Sequence, residues 1–396
     1  MEKNVVEIIF SKICEELKRR LKGKHRDTNI AGVEIKLRRC AYNITLEELA
    51  KDICSISYLS KLENSQIKPN FLSLHDICQR LNIDDETIDV LMSLDKILIN
   101  SVNAYFDKDV KKLTRYYESG KSLENYRYKL ISLIYFIQTK EYEKATSIVN
   151  LLSKIVGTLS DIDLLIYALF YDILYFKELN AKDLYDQLKY LNKIALTNDS
   201  INYLIDIMKI KCLFIMNSPL LIKKTGELYT SLINIARFDI IDDVKYISAL
   251  FFLFNNDLEG YEDSYNSLKN KQYLKNLDLY KKILSNEEIH QKDLANVSDA
   301  AYLFGLAKLD KDKAKEMLNQ STLNYDDAIE FNDNIVEYLT LDDVEEKYNF
   351  IFLVALPSFK ANKNKIVGKF FLDEIIKITS QTNKYKLLYQ FQMEMI

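Results

Sequence analysis

The stretch "ITLEELAKDICSISYLSKLENSQIKPN", Ile44 to Asn70, decides how the rest of the chain is read. Thr45-Leu46-Glu47-Glu48 has the form of a capping box: the Thr45 hydroxyl accepts the amide three residues on while Glu48 reaches back to the Thr45 amide, so a helix is expected to begin at Leu46. Leu46, Leu49, Ala50 and Ile53 then share one face. This helix is expected to end near Cys54, where Ser55 is an N-cap for a second helix over Ile56 to Asn64 with Leu59 and Leu62 inward. Two short helices across a tight turn form a helix-turn-helix. On the second, Ile56, Ser57, Ser60, Lys61 and Asn64 are left facing out, small or hydrogen-bonding side chains suited to base edges and phosphates. Tyr58, one turn in, is placed to give its hydroxyl to a backbone phosphate, and Thr45, Ser55 and Lys68 complete the expected DNA-contacting set.

The flanks supply the remainder of a five-helix unit. "GVEIKLRRCA" (Gly32 to Ala41) sets Val33, Ile35 and Leu37 among Lys36, Arg38 and Arg39, and "KPNFLSLHDICQRLNI" (Lys68 to Ile83) uses Pro69 and Asn70 as stop and cap before Leu72, Leu74, Ile77 and Leu81. A fifth helix follows from about Asp85. Residues 1–83 hold 15 Lys+Arg against 11 Asp+Glu, net +4, in a chain of net charge -4. A basic head on an acidic body is the pattern expected when only the head meets phosphate.

These residues resemble the Cro/C1-type, or xenobiotic-response-element-type, helix-turn-helix. Its pattern T-x-x-E-L-A, then S-x-x-Y-L-S-x-[IL]-E, then a loop with Pro is matched by Thr45, Glu48, Leu49, Ala50, Ser55, Tyr58, Leu59, Ser60, Leu62, Glu63 and Pro69. The turn departs from the pattern: its usual Gly is absent and "DICS" is one residue shorter than the commonest form. That shorter turn looks like the variant in the Rgg, Rap, NprR, PlcR and PrgX group of peptide-pheromone receptors.

With 8 Gly and 3 Pro in 396 residues almost nothing interrupts long helices, and the chain is expected to be all-α. Beyond Asp84 it reads as a train of amphipathic helices. "LIYFIQTKEYEKATSIVNLLSKI" (Leu133 to Ile155) has the turn of a tetratricopeptide-like pair, with Tyr142 and Ala145 where that motif wants an aromatic and a small residue. Weaker echoes lie at Phe176 to Ile194, Ser218 to Ala236, Phe254 to Lys271 and Phe304 to Gln320, each expected to be helix, polar turn and second helix. The expected organisation is an N-terminal extension (1–28), a helix-turn-helix domain (29–84), a linker helix (85–106) and a right-handed α-solenoid of degenerate tetratricopeptide-like pairs (107–396), whose concave face would bind an extended ligand.

Head and solenoid in this order again resemble the peptide-pheromone receptor family. The resemblance implies a cytoplasmic, homodimeric transcription regulator that binds double-stranded DNA and whose solenoid captures a short signalling peptide. In such receptors Asn side chains clamp the peptide backbone, an amide being both donor and acceptor. The candidates here are Asn202, Asn217 and Asn255, with Tyr135, Tyr167 and Tyr171 as walls or as core. The alternative is a phage or mobile-element repressor whose helical part serves dimerisation or a protein partner, without a peptide.

Other classes find less support. Apolar runs such as Leu130 to Gln138 and Tyr246 to Phe254 are too short to span a membrane, and the first residues place charge after the apolar part, the reverse of a secretory signal. Five widely spaced Cys without a C-x-x-C pair suit reduced, mostly buried thiols. His25, His75 and His290 show no metal-ligand spacing, and no phosphate loop, dinucleotide fingerprint or nucleophile elbow occurs, so neither an enzyme nor a cofactor is expected. His75 is read as a core residue. The extension "VEIIFSKICEELKRRLKGKHR" (Val5 to Arg26) is amphipathic with a crowded basic end, and three readings stay open: a basic arm on phosphate, a helix docked on a partner subunit, or a membrane-surface helix.

Overall fold

The structure is a computed structural model that describes residues 3–23, 30–64, 66–67, 70–83, 85–120, 125–194, 198–320, 333–382 and 385–395. Every regular element among them is helical: α1 (Lys3–Leu21), α2 (Ile30–Ala41), α3 (Leu46–Ala50), α4 (Ile56–Glu63), α5 (Phe71–Arg80), α6 (Asp85–Phe106), α7 (Val110–Ser119), α8 (Tyr126–Gln138), α9 (Tyr142–Ser153), α10 (Asp161–Leu174), α11 (Ala181–Leu191) and α12 (Asp199–Ile215). Then follow α13 (Leu220–Asn234), α14 (Phe238–Phe254), α15 (Leu258–Asn266), α16 (Lys271–Leu284), α17 (Asp299–Leu309), α18 (Lys311–Gln320), α19 (Asp333–Leu339), α20 (Val344–Phe350), α21 (Leu356–Asn362), α22 (Lys365–Thr382) and α23 (Lys386–Met395). The chain is all-α, a helix-turn-helix head followed by an all-helical body. No helix among the described residues is long and apolar enough to cross a membrane.

Turns that close helix pairs use a left-handed residue, and here Asn or Lys fills the place that Gly takes in most proteins. Lys108, Lys140, Asn217, Asn256 and Asn286 have φ between 48° and 64°. At each, the next amide bonds back five residues, as in Asp109 N to Ala104 O at 2.9 Å and Glu141 N to Phe136 O at 2.8 Å. Fully buried Ala145 lets α9 lie close on α8, as its spacing predicts. Of the other echoes, Phe254 to Lys271 and Phe304 to Gln320 each hold a helix end, a turn and a second helix, whereas Ser218 to Ala236 is one helix and Phe176 to Ile194 is a turn plus one helix. Periodicity alone does not say which apolar run follows a turn and which precedes it.

Two compact units emerge. One comprises residues 1–175 and 186–205, and so holds the head together with the first body helices; the other comprises 176–185 and 206–396. In the first unit, Ile35 of α2 enters the head's core with Leu49, Ala50, Leu59, Leu62, Ile77, Cys78, Leu81 and Ile83, while Val33 and Leu37, 0% and 4% exposed, are buried outside that cluster. Between them Glu34 accepts the Tyr126 amide that opens α8 at 2.9 Å and Arg38 Nε at 3.0 Å. Its burial pushes the carboxyl above the usual range. The head is therefore joined to the body through both faces of α2.

The extension also docks on its own chain. Val6, Ile9, Ile13 and Leu17 are buried, and so is Arg20, one residue of the basic end, while Lys18, Arg19 and Lys22 are exposed. The Arg20 guanidinium meets Glu16 at 2.8 Å, Asp161 at 2.5 Å and the Leu159 carbonyl at 2.8 Å, and Tyr171 donates its hydroxyl to the Val6 carbonyl at 2.6 Å. Cys14 donates to Gln187 at 2.7 Å, and Gln187 in turn holds the fully buried Asp172. Lys24, His25 and Arg26 lie outside the described residues.

In the second unit, α20 and α21 join through a π-helical turn over Ile351–Ala355. Pro357 has no amide to donate and its ring would meet the carbonyl four residues back, so the widened turn relieves a clash that an α-helix would carry. Cys78 and Cys212 are buried, Cys14, Cys40 and Cys54 half-buried, and none of the five is in a disulfide.

Candidate nucleic-acid interface

The interface begins with the capping box. Thr45 accepts the Glu48 amide at 3.1 Å, and Glu48 accepts the Thr45 amide at 2.7 Å and its hydroxyl at 2.9 Å, which holds the Glu48 carboxyl below its usual range. The helix so started is short. It ends at Ala50, four residues before the expected end, because Asp52 turns left-handed at φ 62°. Asp52 thus does the work of the missing Gly, at a cost of about 1 kcal/mol. Arg80 of α5 compensates by donating to the carbonyls of Leu49 at 3.2 Å and Lys51 at 2.5 Å, groups left open where α3 stops.

Ser55 then caps α4, accepting the Tyr58 amide at 3.1 Å. With about 100° per residue, Leu59, Leu62 and Glu63 point inward and are buried, while Ile56, Ser57 and Lys61 are exposed and Ser60 is half-buried. This outward arc is the expected reading surface. Its far end is fixed by Arg39, which holds Glu63 bidentately at 2.6 and 2.8 Å and gives a third N–H to the Ile44 carbonyl at 2.9 Å. One guanidinium thereby ties the end of α2, the entry to α3 and the end of α4. The Glu63 carboxylate beside it raises the Arg39 pKa above its already high value.

Four expectations change. Asn64 is not a projecting side chain: it caps α4, donates to the Ser60 carbonyl at 2.8 Å and accepts Lys36 Nζ at 3.4 Å. Tyr58 accepts the Asn70 amide at 2.7 Å, so its hydroxyl positions α5, and only its proton is left to offer a phosphate. Leu72, expected in the core, is 72% exposed, since the cap at Asn70 places it on the opposite face from Ile77 and Leu81. Nor is His75 a core residue: it is half-buried beside Gln79 at 3.1 Å. Lys68 and Pro69 lie outside the described residues. Arg39 and Arg80 were missed by sequence reading, which sees a basic residue but not the carboxylate or carbonyls it will face.

In the second unit two expected Asn residues meet. Asn217 and Asn255 exchange amide bonds at 3.1 and 2.7 Å, Asn255 also donates to the Phe251 carbonyl at 2.8 Å, and Lys369 of α22 donates to Asn255 at 3.3 Å. All three are half-buried. Lys369, over a hundred residues away in sequence, carried no signal. Asn202 is half-buried on α12 in the first unit. Tyr167 and Tyr171 are sealed in the core, with hydroxyls donated to the carbonyls of Val149 and Val6, and cannot wall a groove. Tyr135 is half-buried and stacks on Tyr117 with centroids 4.2 Å apart.

Residues 35–88 match the helix-turn-helix family. The transcriptional activator NprA of Geobacillus stearothermophilus is 29% identical over 154 residues, 37% of this chain and 37% of NprA, so the match spans about a third of that relative's length. Among solved structures, PlcR of Bacillus thuringiensis in complex with the peptide PapR7 and DNA is 15% identical, with 65% of this chain and 96% of that one covered and a TM-score of 0.35. The SHP pheromone receptor Rgg2 of Streptococcus dysgalactiae is 16% identical, with 73% and 99% covered and a TM-score of 0.19. Residues 35–88 are thus a helix-turn-helix domain.

Proposed function

We propose that the protein is a cytoplasmic, homodimeric transcription regulator that binds double-stranded DNA through α3 and α4 and a short signalling peptide through its helical body. The observation that carries the DNA reading is the outward arc of α4, which has small, polar and cationic side chains on a helix pinned at both ends by Ser55 and Arg39. A dimer would present two such helices about one DNA turn, roughly 34–36 Å, apart on a site with two-fold character. The right-handed, tetratricopeptide-like course of the body belongs to this reading.

For the peptide, the supporting feature is the pair Asn217 and Asn255 with Lys369. Amides that bond each other can rotate to bond a peptide backbone, and the lysine adds a cation for a carboxylate. The test is calorimetric titration of the full chain with short synthetic peptides from small reading frames flanking its gene, repeated with Asn255→Ala. Micromolar or tighter binding that Asn255→Ala weakens supports the receptor. Absence of binding by a chain that still binds DNA points to the constitutive repressor.

A further inference from the structure

Ile56 is the one apolar side chain on the outward arc of α4. It is 48% exposed and stands outside the head's core cluster, while its neighbours on the arc are Ser57, Ser60 and Lys61. A lone exposed isoleucine on a protein surface needs no explanation. The position of this one does, because it is the first residue of the helix whose N-terminal residues approach base edges. The Ser55 hydroxyl just before it accepts the Tyr58 amide and keeps its proton to offer, and Ile56 and Ser57 are the first side chains of the helix itself.

The major-groove edges of the four base pairs offer hydrogen-bond donors and acceptors and a single apolar group, the C5-methyl of thymine. Any other edge would be desolvated by Ile56 without a partner. A β-branched side chain in a helix is held in essentially one χ1 rotamer, so the contact surface is fixed before DNA arrives. Resting on the reading of α4 as the DNA-contacting helix, we infer that Ile56 is a specificity-determining residue that seats against a thymine methyl in each half-site and selects an A·T pair there. The hydroxyls and Lys61 serve the adjoining polar edges and phosphates.

The experiment uses the full chain. Duplexes are selected from a randomised DNA pool, and each thymine of the selected site is then replaced singly by uracil, which lacks only the methyl. Binding is followed by fluorescence anisotropy at one fixed salt concentration. One thymine per half-site is expected to lose about fourfold in affinity as uracil, the ~0.8 kcal/mol of one buried methyl at about 1.4 kcal/mol per tenfold. Ile56→Ala, a change at a half-exposed position outside the head's core cluster, is expected to bind the thymine and uracil duplexes alike. Equal binding of thymine and uracil at every position by the parent chain, or discrimination of the same size in Ile56→Ala, overturns the inference while leaving DNA binding by α4 in place. A chain that enriches no sequence from the pool removes both.

Discussion

Replacing Arg20 by Met distinguishes a docked α1 from a basic arm. The side chain is 0% exposed, and its guanidinium serves Glu16, itself 5% exposed, together with Asp161 and the Leu159 carbonyl. Methionine preserves most of the volume but leaves the buried Glu16 carboxylate with only the largely exposed Arg19 guanidinium, 3.4 Å away, and breaking one side of such a buried pair costs about 3–5 kcal/mol. The chain has no Trp and 27 Tyr, so urea unfolding is followed by far-ultraviolet circular dichroism and tyrosine fluorescence. With a slope of about 2–3 kcal/mol/M for a unit of this size, the midpoint of the first unit should fall by roughly 1–2 M. Adding Glu16→Gln should restore part of the loss, because the stranded charge goes with it. An unchanged midpoint, together with weaker DNA binding and a salt dependence reduced by about one phosphate contact, would show that Arg20 works outside the protein.

Four further outcomes follow from named contacts. Asp52→Gly should stabilise the head by about 0.5–1 kcal/mol by removing the left-handed penalty, read as a rise in melting temperature; a fall would mean that the Asp52 side chain makes a contact worth more than the strain. Gly120→Ala should destabilise the first unit by about 1–3 kcal/mol, since a Cβ there comes within 2.5 Å of the buried Tyr128 ring; an unchanged urea midpoint would refute that packing. Burial raises the Asp172 carboxyl well above its usual value, so its contribution to stability is complete below the unfolded pKa near 3.9 and declines as pH rises toward the folded value. Asp172→Asn should remove that part of the slope in a stability-against-pH series, and an identical slope would refute it. Lys61→Ala should weaken DNA binding by a similar factor for all sequences and lower the salt slope by about one.

The local signals that reported on themselves were legible. Thr45 with Glu48, and Ser55 before an apolar spacing, state their hydrogen bonds within four residues, and both caps are present. The inward faces of α3 and α4 followed from period alone. What escaped depends on distant partners. An arginine in a basic run reads as a surface charge until Asp161, 141 residues away, places it inside. Tyr167 and Tyr171 offer a ring and a hydroxyl to any reading, and only the carbonyls of Val149 and Val6 show that they are core. The end of α3 was missed because the residue that turns left-handed is Asp52, not a glycine.

The central claim is that α4 reads DNA, and its most direct test is the salt dependence of duplex binding by the full chain, compared with Ser57→Ala and Lys61→Ala. The claim predicts a steep fall in affinity with salt, a slope smaller by about one for Lys61→Ala, and weakened specific binding for Ser57→Ala in a chain that unfolds at the same urea concentration. Affinity and slope unchanged in both variants would contradict it.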